Sequence, residues 1–205
     1  MKNFLKMFVL ILCGALCAVI LSCGSTGGAA ADTGTGPGVL ATGEWMAFND
    51  VNDKGSSTST ITSAEEVIDG KTVMVHHVVG NVTTQFQYGF AGWGLDADTD
   101  TIERYKTAKV LSFWIKGDGK AYSIKFKTSN VRDYGYFEYR FATEADTPLY
   151  VEVPITFFMQ PSWAEIVRKN QLLVTGVEWQ THESWRKLGN SNPFEIKIWN
   201  FMVHQ

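Results

Sequence analysis

The chain has 205 residues, 45% of them hydrophobic and 19% charged, with a formal net charge of −3. That length holds one sizeable domain and hardly two. The acidic balance argues against nucleic acid, and against anionic lipid surfaces, as partners of the folded part.

Lys2 and Lys6 make a basic start, and Met7 to Leu21 follows as an unbroken apolar run. A run of about 15 residues falls short of the roughly 20 needed to span a bilayer core, so it reads as the apolar region of an export signal. Ile20-Leu21-Ser22-Cys23-Gly24 then resembles a relaxed lipobox, with Cys23 as the lipid attachment point. The plainer alternative is an ordinary signal peptide cleaved nearby. Cysteine usage favours the lipoprotein: Cys13, Cys17 and Cys23 are the only three, so a processed chain keeps one, at its first position. Acyl chains there would hold the protein at a membrane surface without spanning it. Loss of Lys2 and Lys6 leaves 16 basic residues against 21 acidic, net −5.

The expected organisation is a signal at 1–22, a lipidated N-terminus with a flexible linker at 23–43, and a folded domain at 44–205. The stretch GSTGGAAADTGTGPGVLATG offers almost nothing to bury and suits a spacer with a typical reach of about 25 Å.

From Glu44 onward, dense aromatic and β-branched residues alternate with polar ones, and turn residues recur about every ten positions. Strands are expected at Thr72–Val79 and Thr83–Phe90, then across Val110–Lys127. There Asp118-Gly119 reads as a two-residue hairpin turn. That hairpin would pair Ile115 with Tyr122, Phe113 with Ile124 and Leu111 with Phe126, leaving Trp114, Ser112, Ser123, Lys125 and Lys127 on the other face. Tyr136–Phe141 and Leu149–Ile155 alternate in the same way, as do Leu172–His182 and Phe194–Phe201. One helical turn is expected at Trp163–Lys169. Eight or more short strands in about 160 residues imply an all-β, antiparallel two-sheet sandwich of jelly-roll type.

Particular residues carry a family likeness. Phe90-Ala-Gly-Trp-Gly-Leu, Leu111-Ser-Phe-Trp-Ile-Lys-Gly-Asp-Gly-Lys-Ala-Tyr122, Val153-Pro-Ile-Thr-Phe157, Gln160-Pro-Ser-Trp163, Gly176-Val-Glu-Trp-Gln180 and Phe194-Glu-Ile-Lys-Ile198 together resemble the complex I intermediate-associated protein 30 (CIA30) family. That family groups with family 11 carbohydrate-binding modules. The resemblance spans roughly Trp45 to Val203 and implies a galactose-binding-like jelly roll. In the carbohydrate-binding relatives a concave face takes a glycan chain, while the assembly-factor relatives handle a protein partner. Some relatives hold a structural calcium and end on an acidic pair. Here Trp199-Asn200 stands at that place, which leaves Asp50 and Asp53, with Asn49, as oxygen donors for such an ion. No other cofactor is expected.

Sugar recognition requires aromatic faces for the rings and planar polar groups for the hydroxyls. The outward positions supply both: Trp114, Tyr136 and Tyr150 (with Trp199) among Lys125, Glu138, Arg140, Glu178, Gln180 and His182. Tyr134 and Trp185 join them from loops, whereas Trp93 and Trp163 read as loop-packing anchors. The charged residues equally suit a solvated sheet face carrying cross-strand ion pairs. Catalysis has little support. His76 and His77 are adjacent on a strand and point to opposite faces, and none of the familiar nucleophile, metal or nucleotide motifs occurs. Two readings stay open: a monomeric envelope lipoprotein binding a β-glucan-type polysaccharide, or one binding an envelope protein through the same fold.

Overall fold

The computed structural model describes residues 37–186 and 190–205. The signal, Cys23 and most of the expected linker lie outside the described residues. Among the described residues eleven strands form two antiparallel sheets: β1 (Val39–Leu40), β2 (Gly43–Asn49), β3 (Thr58–Ile68), β4 (Lys71–Thr83), β5 (Phe90–Ala97), β6 (Val110–Lys116), β7 (Ala121–Thr128), β8 (Phe137–Ala142), β9 (Pro148–Pro154), β10 (Val174–His182) and β11 (Ser191–His204). The back sheet runs β3-β4-β11-β6-β9, with β1 added beside the last residues of β11. The front sheet runs β2-β5-β10-β7-β8. The chain passes repeatedly between the sheets, as a jelly roll requires. The sandwich starts earlier than the composition suggested: Val39 and Leu40 pair with Val203 and Met202, and Ala41 joins the core.

Period-two alternation sends one row of each strand inward. Leu111, Phe113 and Ile115 of β6 meet Tyr122, Ile124 and Phe126 of β7, all fully buried. Trp179 sits at the centre. It stacks on Trp93 at 6.3 Å and 2°, and takes Phe113 and Phe201 edge-on at 5.4 and 4.9 Å. Edge-to-face and offset pairs of this kind add to what their burial contributes.

The expected hairpin does not form. β6 pairs with β11 and β9, whereas β7 pairs with β10 and β8, so the two face each other across the core. A hairpin of the expected type needs positive φ at both central residues, and here only Gly119 adopts it, at +79°. The Asp118 carboxylate accepts from Lys120 N, Tyr122 Oη and buried Arg186, which fixes Lys116–Ala121 as a corner between the sheets.

Helix α1 (Thr99–Thr107), which the strand-dominated pattern hid, is capped by Asp98 accepting from Thr101 N at 2.8 Å. A short helical turn, α2 (Glu183–Arg186), follows β10. No helix forms over Trp163–Lys169. There Gln160 and Asp133 side chains take the amides of Val167 and Glu165, so local side-chain bonds replace the helical ladder.

Candidate functional site

The inward set of the front sheet determines its outward set. With Val177, Trp179 and Thr181 buried, β10 presents Glu178, Gln180 and His182. With Tyr122, Ile124 and Phe126 buried, β7 presents Ser123, Lys125 and Lys127. Register assembles these into rows across five strands. One row is Met46, Gly94, Glu178, Lys125 and Glu138; the next is Phe48, Gly92, Gln180, Ser123 and Arg140. Glycines at both β5 positions keep the floor low. The Phe48 ring lies over Gly92, its Cζ only 2.4 Å from where a Cβ would stand, while a Cβ at Gly94 would meet Glu178 Cγ at 3.0 Å.

Charges on this floor are partly paired. Lys127 Nζ contacts Glu178 Oε1 at 2.5 Å, and Arg140 Nη2 contacts Glu138 Oε1 at 2.7 Å. Lys125 lies between the two carboxylates and is 8% exposed, yet it has no hydrogen bond or ion pair among the described residues. Burial lowers its pKa, an effect that Glu138 and Glu178 oppose from a distance. Gln180 is 5% exposed with no partner for its amide, and the Ser123 hydroxyl is buried without one. Buried polar groups in folded proteins are nearly always satisfied. Ser123 Oγ is an exception, whereas Lys125 and Gln180 beside it keep polar atoms within reach of solvent and of a ligand.

Aromatic groups bracket this floor. At the β10 end, Trp185 of α2 packs edge-on against His182 at 4.5 Å and lies under the Arg140 guanidinium at 4.7 Å. At the other end, Tyr136 lies 5.7 Å from Lys127 Nζ and meets Tyr134 edge-on, the latter 76% exposed and at φ +62°. The rows of Lys127 and Ser123, four residues apart along β7, are separated by about 13 Å.

His182 is pushed down to about 3, chiefly by burial and further by Lys125 and Arg140. Unfolding restores its ordinary value near 6.5. The unfolded chain therefore binds the extra proton between those values, and His182 contributes stability above pH 6.5 that is lost as pH falls toward 3. His76, buried against Trp45 and lowered to about 4, acts in the same direction. Melting temperatures of His182→Gln are expected to fall less steeply with acid than those of the parent between pH 6.5 and 4; identical slopes would mean that His182 does not titrate in this range.

Not all expected site residues converge. Lys125, Tyr136, Glu138, Arg140, Glu178, Gln180, His182 and Trp185 share the front face, with Tyr134 at its margin. Trp114 and Tyr150 lie on the opposite outer surface, because β6 and β9 belong to the back sheet. There Trp114 stacks on Trp199 at 6.0 Å and 9° and packs on Tyr150 at 5.2 Å, a self-contained cluster with Trp114 37% exposed. Trp93 is a strand residue of the core, not a loop anchor. His76 and His77 do point apart, His77 reaching Glu195 at 2.8 Å. Asp50 turns inward to three protein donors, Asp53 is exposed, and Asn49 caps Val51 N. Among the described residues no group of three or more His, Cys, Asp or Glu side chains gathers as a metal site. Sequence reasoning missed Gly92, Gly94 and Phe48. The alternation of small and large residues in Ala91-Gly-Trp-Gly-Leu95 was the available signal. Two recesses of about 420 and 290 Å³ adjoin Asn130, lined by residues of the loops after β7 and before β10.

Fold and face together define a two-sheet jelly-roll module with an incompletely satisfied polar surface between aromatic ends. The complex I intermediate-associated protein 30 (CIA30) family profile matches residues 38–178, more than half of the chain, and the protein belongs to that family. No curated protein sequence matches it. Among solved structures it is similar to the family 11 carbohydrate-binding module of a cellulosomal cellulase of Clostridium thermocellum, at 18% identity over 81% of this chain and 88% of that one, with a TM-score of 0.47. It is also similar to an exo-β-agarase at 9% identity and TM-score 0.49, over 82% of this chain but only 25% of the enzyme. A family 4 carbohydrate-binding module aligns at 14% identity over 78% and 86% of the two chains, with a TM-score of 0.37.

Proposed function

We propose that this protein is a non-catalytic envelope lipoprotein whose front sheet binds a polysaccharide chain. The observation that carries this reading is the pair of mostly buried side chains without a hydrogen-bond partner, Lys125 and Gln180, lying between Trp185 and Tyr136. Hydroxyls and ring faces of a sugar chain meet both demands at once: the polar atoms gain hydrogen bonds, and the aromatic rings gain apolar contact. A binding role suits the carboxylates better than catalysis does, since Glu138 and Glu178 are each committed to a cation and separated by Lys125. In this reading lipid on Cys23 holds the module at the membrane.

The test is calorimetric titration of the full chain, in mild detergent, with β-glucans and a panel of other envelope and plant polysaccharides. Trp185→Ala is expected to weaken binding at least about tenfold, a loss of roughly 1.4 kcal/mol, while Trp114→Ala on the back sheet leaves it unchanged. Binding lost in Trp114→Ala and kept in Trp185→Ala would move the site to the other face.

An envelope-protein partner has its own observation. The connection from β9 to β10 exposes Phe157, Met159, Trp163, Ile166 and Leu172 by 59–91% each. Apolar surface of that kind suits protein contact. Cross-linking from Ile166 in the native envelope, with no saccharide bound by the purified protein, would establish this second reading.

A further inference from the structure

The front face leaves one of its cations without a close partner. Across β10, β7 and β8, one register row sets Glu178, Lys125 and Glu138 side by side, and the expected arrangement would be a lysine shared by two carboxylates. Neither carboxylate turns to it. Glu178 reaches along the sheet to Lys127 at 2.5 Å, and Glu138 to Arg140, whose Nε donates to it at 2.8 Å. The acids of the two remaining strands do not compensate. Asp96 on β5 and Glu44 on β2 are cross-strand partners one pleat away, and Asp96 acts on Lys127. His182, the other titratable group beside Lys125, is neutral at physiological pH. Lys125 is therefore left with more than nine-tenths of its surface buried and no hydrogen bond or ion pair among the described residues, with Glu138 and Glu178 acting on it only at longer range. A mostly buried charge without a partner is unfavourable, and a ligand that supplies the opposite charge relieves that cost.

Deepening the carbohydrate-binding reading on which it rests, we propose that the saccharide taken by this face carries a carboxylate, as a uronic acid does, and that this group pairs with Lys125 Nζ. A neutral sugar would satisfy Gln180 and leave the ammonium uncompensated. A carboxylated one satisfies both, because one oxygen meets Lys125 while the other and the ring hydroxyls lie over Gln180 in the adjoining row. Gly94, in the row of Glu178 and Lys125, adds no side chain to that floor.

The experiment compares oligogalacturonate with the same oligomer reduced at its carboxyl carbon, together with a neutral β-glucan, on the full chain in mild detergent. The acidic oligomer is expected to bind at least about tenfold more tightly than its reduced form at low salt, with the margin shrinking as salt rises. Lys125→Met, which keeps the buried aliphatic stem, is expected to abolish the margin and leave residual binding of both. Lys125→Arg, which keeps the charge, is expected to preserve it. Equal or tighter binding of the reduced oligomer or the β-glucan would overturn the proposal and leave the carbohydrate-binding reading standing. So would a margin that survives in Lys125→Met. Failure of every saccharide to bind a folded protein would remove both.

Discussion

Asp50→Ala is expected to lower the unfolding free energy by about 4 kcal/mol, whereas Asp53→Ala three residues away changes it by less than about 0.5 kcal/mol. Asp50 is fully buried where β2 gives way to a 3₁₀ turn at Asp50–Asp53. Its carboxylate accepts from Ser57 N at 2.9 Å, Ser57 Oγ at 2.7 Å and Phe90 N at 3.1 Å. These bonds fasten the start of β3 and the start of β5 to the end of β2, so one side chain closes the rim of the sandwich. Truncation strands two backbone amides and a hydroxyl, each worth about 1–3 kcal/mol when buried and unsatisfied. Gly55 makes the packing specific, because a Cβ there would stand 2.1 Å from Asp50 Oδ1. Urea titration of the two variants measures the difference, and in a domain this size it appears as a fall in melting temperature on the order of 10 °C. A small effect would mean that water replaces the carboxylate. The same geometry leaves Asp50 few lone pairs for a cation, so added calcium is expected to leave the parent's melting temperature unchanged. An increase of several degrees would restore the Asp50–Asp53 turn as a calcium site.

Much of this face was legible before any coordinates. Alternation alone placed Lys125, Glu138, Arg140, Glu178, Gln180 and His182 outward, and they do gather on one surface. Alternation could not say which sheet a strand joins. The inward rows of β6 and β7 read the same whether the strands lie side by side or face each other across a core, since a period of two fixes the face of a strand and not its neighbour. Trp114 and Tyr150 were grouped with Lys125 for that reason, and the grouping failed with the hairpin. The absent partner of Lys125 was also beyond sequence. A row of acid, lysine and acid predicts a shared ion pair, and only side-chain geometry shows both acids turned elsewhere. α1 was different, because its signals were present and outweighed. Asp98 precedes a run in which Thr101 and Tyr105, four apart, are both buried, as in an amphipathic helix. β3, rich in Thr, Ser and Glu, lacks aromatic alternation, β2 was not expected either, and the strand expected at Thr83–Phe90 is a turn that leads into β5 at Phe90–Ala97.

Arg186→Met is expected to destabilise the protein by about 3–5 kcal/mol and to weaken saccharide binding beyond what the loss of stability explains. The Arg186 side chain has no exposed surface. Its guanidinium donates to Asp118, to Thr181 Oγ1 at 3.1 Å, to Tyr122 Oη at 3.3 Å and to the Pro193 carbonyl at 3.2 Å, lying between the rings of Tyr122 and Phe194. One residue thus joins the β6–β7 corner, the end of β10 and the start of β11. Removing it leaves the half-buried Asp118 carboxylate without its cation, the situation in which breaking a buried pair is most damaging. The double variant Arg186→Met, Asp118→Asn neutralises that carboxylate and is expected to recover part of the stability. It is not expected to recover binding. Trp185 precedes Arg186 on α2, a single turn that depends on this anchor to hold the indole against His182 and Arg140. With the anchor gone, the indole no longer closes the end of the polar floor. Stability restored together with full affinity in the double variant would show that Trp185 holds its place without Arg186. Restored stability with affinity still reduced would show that the buried arginine sets the geometry of the binding face.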